Sequence, residues 1–325
     1  ANRWKGSPMQ MTQPFATLLF LVATSAFANE NIADQYPDSL LYAKPVEFIP
    51  GVWSATGATA PPTYENAGHN NNLSFIVTGD GVVVINAGAS WGLAKALHTE
   101  IKAITEQPVK LVIDENGQGH AMLGNGYWVE QGVPVLAHSA AAEAFANEGA
   151  GSFDAGAQLL AERFNDTRVQ APTETFDDVY TVPFGDFTIE ARYLGPAHSP
   201  GDIVVWLPEQ KLVISGDMAF HERMLPIFPD TDTKGWVETW ETAFEPLGAT
   251  YVIPGHGHPT NVDQVRLYTH DYLVYLRRQI ETLLDEGGGL AEAYYVDQTP
   301  YAHLDTFEEL ATKNAGRVFE QMEFE

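Results

Sequence analysis

The chain has no cysteine among its 325 residues, so neither a disulfide framework nor a thiolate-bound metal centre is open to it. Positive charge is scarce: 17 Lys and Arg stand against 43 Asp and Glu, a formal net charge of -26. That deficit argues against nucleic acid and anionic membrane surfaces as partners, because clustered cations hold both. It suits a soluble protein in saline surroundings, and attraction of a cationic substrate is a second use such charge permits. No apolar run approaches the about 20 residues needed to cross a bilayer. Internal repeats and low-complexity linkers are missing too, so nothing divides the chain into modules. With 45% hydrophobic residues it is long enough to bury one large core.

The N terminus stands apart from this composition. Residues 1–8 read as a vector-derived remnant ahead of an initiator at Met9 or Met11. From Phe15 a short apolar run leads to Ala26-Phe27-Ala28, the small-residue pattern of a signal-peptidase site. The positive flank of such peptides is weak here, with no Lys or Arg between Met9 and the run, and a buried or disordered arm is the plain alternative. We expect residues 1–28 to be remnant plus secretory peptide and residues 29–325 to form a single domain. The mature protein is then periplasmic or secreted, without stable membrane insertion after cleavage. Its oligomeric state is not legible.

Further on, the pattern is αβ. Residues 79–88 read as a turn followed by a continuous β-branched run, the mark of a strand buried on both faces. Residues 91–105 place Leu93, Ala96, Leu97 and Ile101 at helical spacing, and residues 109–113 form a second apolar strand. The polar loop after that strand is where α/β folds put ligand chemistry. Three later strands also border on polar motifs: His198 in a Pro/Gly-rich loop before one, Gly216-Asp217 ending another, and Pro254-Gly255-His256-Gly257-His258 ending a third. Between Ala140 and Thr175 we expect an insertion, with a helix over residues 140–146, a Gly-rich break over 148–156 and a second helix over 157–164. A plain surface excursion explains this insertion slightly better than a substrate lid.

In order and spacing, these strand-end motifs resemble the metallo-β-lactamase superfamily over roughly residues 49–276. The tail, from Tyr301 through Asn314 to Glu323, resembles the C-terminal helix of a SoxH-like, quinoprotein-associated periplasmic branch. The resemblance implies an αββα sandwich of two mixed β-sheets flanked by helices, with a C-terminal helical extension. It also implies a His-x-His-x-Asp-His loop, and here the chain departs from the pattern. In the ungapped register Asn116 and Gln118 replace the first two histidines, His120 replaces the aspartate and Ala121 the last histidine. A gapped register would instead put Glu115 and His120 at the first and last histidine positions; we prefer the ungapped one. Either keeps His120, His198, Asp217 and His256, which are the candidate metal ligands. Asn86 stands where many relatives have an aspartate that supports the loop, which would weaken that support.

In this reading the first ion site is reduced to His198, while His120, Asp217 and His256 suit one zinc or other divalent transition ion with a position left for water. Such an ion would activate water against an ester, lactone, amide or phosphoester. Asp217, His198 and His120 are the candidate catalytic residues, with Asp217 orienting the water and His198 acting as ligand or base. Asn116 and Gln118, as neutral amides, are better at hydrogen-bonding an oxyanion than at holding zinc, and with His221 they are the candidate substrate contacts. Turn chemistry alone would also explain His198 and Asp217. His69 reads as a residue of the site mouth or of a polar turn, His258 as solvent-facing, and His98, His138, His270 and His303 as structural. Trp53, Trp91, Tyr127 and Trp128 suit core packing better than a pocket wall. The rival reading is a non-catalytic protein that binds a small molecule or partner on the same fold, without a metal. Metal-free acid/base chemistry through His120 lacks an evident nucleophile.

Overall fold

The β-branched run at Val82–Ile85 is buried at every position because each side of the strand meets a different core. Val83 and Ile85 face a second sheet, while Val82 and Val84 face helices. This computed structural model describes residues 39–325, which belong to one compact unit. The expected remnant and secretory peptide over residues 1–28 lie outside the described residues.

The first sheet follows chain order: β1 (Val46–Ile49), β2 (Val52–Ala55), β3 (Leu73–Val77), β4 (Val82–Ile85), β5 (Val109–Ile113), β6 (Val135–His138) and β7 (Glu174–Phe176). β1 to β4 pair antiparallel, and β4 to β7 pair parallel. The second sheet contains β8 (Val179–Thr181), β9 (Glu190–Tyr193), β10 (Ile203–Leu207), β11 (Leu212–Phe220), β12 (Tyr251–His256) and β13 (Thr260–Asn261), also in chain order. Only β11 and β12 pair parallel there. Both sheets are therefore mixed, as the resemblance implies. They face each other across Val83, Ile85, Leu111, Ile113, Ile203, Val205, Ile214 and Ile253.

Helices cover the outer faces. α1 (Trp91–Ile104) starts where the Ser90 hydroxyl accepts from the Leu93 N–H, and it buries Leu93, Leu97 and Ile101 against the first sheet. Between β5 and β6 lie two short helices, α2 (Gly119–Met122) and α3 (Asn125–Glu130). Trp128 and Tyr127 belong to this outer core, with Trp53 and Trp91 packed beside it, so none of the four aromatics walls a site. On the second sheet, α5 (Thr233–Thr239), α6 (Val262–Tyr268), α7 (His270–Asp285), α8 (Leu290–Ala293) and α9 (Phe307–Met322) enclose a core around Trp236, Trp240, Tyr272 and Phe319. The result is an αββα sandwich.

One local expectation is corrected. Residues 139–160 form a single helix, α4 (Ser139–Leu160), followed by a 3-10 turn over Ala161–Phe164, and the Gly-rich stretch lies inside the helix. Two of its three glycines pack closely: a Cβ at Gly156 would come within 2.7 Å of the Phe164 ring, and one at Gly149 within 3.2 Å of the Phe145 ring, whereas one at Gly151 would meet nothing within 4 Å. Close approach of those rings outweighs the low helix propensity of glycine, about 1 kcal/mol each. Among the described residues, no helix is long and apolar enough to cross a membrane.

Candidate metal centre and its cavity

Asp217 is the hub of the site. It sits in β11, where Gly216 at φ +52° turns the chain, and it is 1% exposed. Its Oδ1 lies 3.2 Å from His256 Nε2, and its Oδ2 lies 3.5 Å from His198 Nδ1 and 3.6 Å from His120 Nε2. The Asn116 amide donates to Oδ2 at 3.1 Å. His256 ends β12, His198 sits in the loop before β10, and His120 is on α2 just after β5. Strand ends of both sheets thus converge on one carboxylate. The neighbouring glycines make room: a Cβ at Gly255 would sit 2.5 Å from Asp217 Oδ1, and one at Gly216 would collide with Glu115 Oε2.

The tautomer of His256 follows from its partners. Its Nδ1 faces the Asn70 carbonyl, which only accepts, so Nδ1 carries the proton and Nε2 turns a lone pair toward Asp217 Oδ1. Two lone pairs at 3.2 Å repel unless a cation or proton lies between them. Asp217 Oδ1 indeed has no hydrogen-bond partner among the described residues. Ligand atoms of His120, Asp217 and His256 all lie within 4.8 Å of one another. This donor set, with a backbone carbonyl orienting the imidazole from behind, fits one divalent transition ion.

Charge shifts point the same way. Burial works against a charged His120, but the carboxylates of Asp217 and Glu115 outweigh it and raise its pKa. Burial alone would raise Asp217, yet His120, His256 and His198 bring it well below the carboxylate range. Burial, then repulsion from Asp217, raises Glu115. Burial holds His256 down to about 4 and lowers His198 as well. The cluster is built to contain one positive charge between carboxylates and neutral imidazoles.

The residues of the second-ion set are therefore brought together, while the first-ion positions carry two amides beside His198. Gln118 Nε2 lies 3.3 Å from His198 Nδ1, and both amides sit where the ungapped register puts them, against His198 and Asp217. His198 Nε2 is buried among Phe220, Phe228 and Trp236 without a polar partner among the described residues. Two candidate substrate contacts are corrected. Asn116 is 0% exposed beneath the cavity, its amide spent on Asp217, so it positions that carboxylate. His221 does not line the cavity; its Nδ1 donates to the His258 carbonyl and its ring packs on Tyr268. Gln118 does face the cavity.

Other residues were less visible in the sequence. Glu115, 3% exposed, puts Oε1 3.1 Å from His120 Nε2 and completes the cluster, a role only the gapped register hinted at. Asn86, at φ +71°, accepts from the Glu115 N–H at 3.0 Å, so it supports the loop rather than weakening it. The polar run over residues 68–72 docks the sheets: the Asn72 amide donates to the carbonyls of Pro254 at 2.8 Å and Gly257 at 2.7 Å. His69 is fully buried, accepting from the Tyr42 N–H, and is no part of the mouth. His258 is largely exposed and pairs with Glu222.

Above the cluster opens a cavity of about 1000 Å³. His120, His198, Asp217 and His256 reach its floor, and α4, the loop at Phe228 and α9 form its walls. The 140–175 segment thus contributes Ala144, Ser152, Leu159 and Leu160 to the wall and is not a plain surface excursion.

An αββα sandwich with a His/Asp cluster at the converging strand ends defines a hydrolase-like α/β class. The sequence model of the metallo-beta-lactamase superfamily matches residues 122–256. A metallo-beta-lactamase type 2 from Bacteroides fragilis is 27% identical over 197 residues, covering 56% of this chain and 70% of the relative. A linear primary-alkylsulfatase from Pseudomonas sp. (strain ATCC 19151) is 20% identical over 249 residues, covering 64% of this chain and 46% of that protein. Among solved structures, the metallo-beta-lactamase from Pontibacter korlensis superposes with a TM-score of 0.58 at 23% identity, covering 71% of this chain and 98% of that one. These matches support membership of the metallo-β-lactamase superfamily.

Proposed function

We propose that this protein is a mononuclear metallo-hydrolase acting on a small molecule, with one divalent transition ion, zinc the first candidate, held by His120, Asp217 and His256. The observation that carries this reading is the unpartnered, buried Asp217 Oδ1 facing the lone pair of His256 at the floor of the cavity. An ion there supplies Lewis acidity, lowering the pKa of water and polarising the electrophile. Asp217, kept ionised, orients the attacking water. His198, kept neutral by burial, is free to accept its proton. Gln118 offers an amide donor from the cavity wall to the developing oxyanion. Asn116 and Glu115 hold Asp217 and His120 in place.

Relatives named as a beta-lactamase and as an alkylsulfatase act on different bonds, so kinship leaves the substrate open. An ester, lactone, amide or phosphoester is the proposed class, with alkyl sulfates included in the screen. The test is metal content by plasma mass spectrometry on tag-free protein, beside a His256→Ala control. About one ion per chain, lost in the control, followed by turnover of one of these classes, supports the proposal. A protein that stays metal-free after incubation with zinc, manganese and iron defeats it. One observation favours a second reading, a non-catalytic binding protein: the usual ligand positions 116, 118 and 121 carry Asn, Gln and Ala, and Asn116 is already bonded to Asp217.

A further inference from the structure

Beside the cluster lies a charged group that the proposed hydrolysis does not use. Arg223, in the segment after β11, lines the cavity and is 5% exposed. Its backbone is tied down, with N–H donating to the His221 carbonyl and a bridge to Asp305 of the C-terminal segment. Its guanidinium is much less satisfied. Nε reaches the Met224 carbonyl only at 3.4 Å. Nη1 lies 3.4 Å from His256 Nδ1, but that nitrogen carries a proton committed to Asn70, so no lone pair is offered. Among the described residues no carboxylate forms an ion pair with it, and Asp217, Asp305 and Glu309 act on it only at longer range. A buried cation without a partner costs several kcal/mol on the order-of-magnitude scale, unless something else supplies the anion. The guanidinium fork matches the oxygen pairs of carboxylate, sulfate and phosphate.

The cavity around it indicates what the anion is attached to. At about 1000 Å³ it stands at the upper end of the range for small-molecule pockets, roughly 300–1,000 Å³. Pro61, Leu123, Leu160 and Leu310 line it, together with Leu159 and Phe228, each 41% exposed where the wall meets solvent. Apart from Asp217 on the floor, the carboxylates on the lining, Glu148, Asp230 and Glu309, belong to exposed residues, as does the ammonium of Lys313; Arg223 is the buried cation. A ligand that satisfies this arrangement has an anionic group at the floor and an apolar body along α4 and the Phe228 loop.

We propose that Arg223 is the specificity residue of this cavity, recognising the carboxylate, sulfate or phosphate group of an amphiphilic small molecule. The word substrate for that molecule rests on the hydrolase reading; the binding does not. Calorimetric titration with decanoate, decyl sulfate, decyl phosphate and decanol, each below its micelle concentration, tests the proposal on the protein as purified and again after chelation. At least one anion should bind ten-fold or more tightly than decanol in both preparations, and the best of the three identifies the head group. Arg223→Ala should bring that anion down to the affinity of decanol while leaving decanol unchanged. Arg223→Lys, which keeps the charge and loses the fork, should weaken the anion several-fold; it carries the test if the alanine variant does not fold. Equal binding of alcohol and anions by the wild type, or anion affinity unchanged in both variants, overturns the proposal. Metal-free protein that retains the Arg223-dependent preference removes the hydrolase reading and leaves this inference standing, whereas metal-loaded protein without the preference does the reverse.

Discussion

Asp217 keeps its charge where burial alone would remove it, because three imidazoles and the Asn116 amide surround it. The space for that charge depends on a missing methyl group at Gly255. A Gly255→Ala substitution puts Cβ 2.5 Å from Asp217 Oδ1 and 2.7 Å from the Gly216 backbone. We expect a loss of about 1–3 kcal/mol in urea unfolding, the usual cost of overpacking, together with loss of the proposed ion. Wild-type stability in that variant would contradict the geometry. Two histidines outside the cluster set a pH dependence. Burial holds His69 down to about 4, and burial with the charge of Lys102 does the same to His98, against 6.5 when unfolded. Between those values the unfolded chain takes up protons that the folded chain refuses, so this stability is present above pH 6.5 and is lost as pH falls toward 4. A His98→Gln variant should lose less midpoint than the wild type between pH 7 and pH 5, about the window set by those values; parallel slopes would refute the assignment. At this scale the sequence was only partly legible. His120, His198, Asp217 and His256 could be read because each sits at a strand end in a short polar motif. Arg223 could not, because what marks it is burial and the lack of a partner, and Glu115 was reached only through the gapped register.

Among the elements, β4, α1 and β5 were read nearly to the residue, since an all-apolar run and a 3.6-residue period survive without tertiary help. α4 was read as two helices with a glycine break because the reason for Gly149 and Gly156, the rings of Phe145 and Phe164, shows only after folding. The same helix gives an element-scale prediction. Leu160, 2% exposed, joins α4 to the core around Phe145 and Phe164 and also borders the cavity. Leu160→Ala should cost about 2–5 kcal/mol, as for other buried leucines, and should loosen binding of apolar ligands, both measurable by thermal unfolding with and without decanol. A cost under about 0.5 kcal/mol, the range of surface changes, would mean that α4 is held elsewhere.

For the molecule as a whole, the charge of -26 is spread over a surface with few cations to offset it. Self-repulsion of this kind weakens the folded state and is screened by salt, with a Debye length of about 10 Å at 0.1 M. The melting temperature should therefore rise between about 0.02 M and about 0.5 M sodium chloride, and a flat or falling profile would show that local pairs neutralise the charge. The same field repels anions at long range, so association of an anionic ligand should speed up over this salt interval.

All strands of one sheet precede Asp177, and all strands of the other follow Asp178, in an exposed turn. Asn70, Glu115, Asn116 and His120 come from the first stretch; His198, Asp217, Arg223 and His256 come from the second. Cut at that turn, neither fragment owns the whole cluster, and uptake of the proposed ion by the mixture would count reassembled molecules directly.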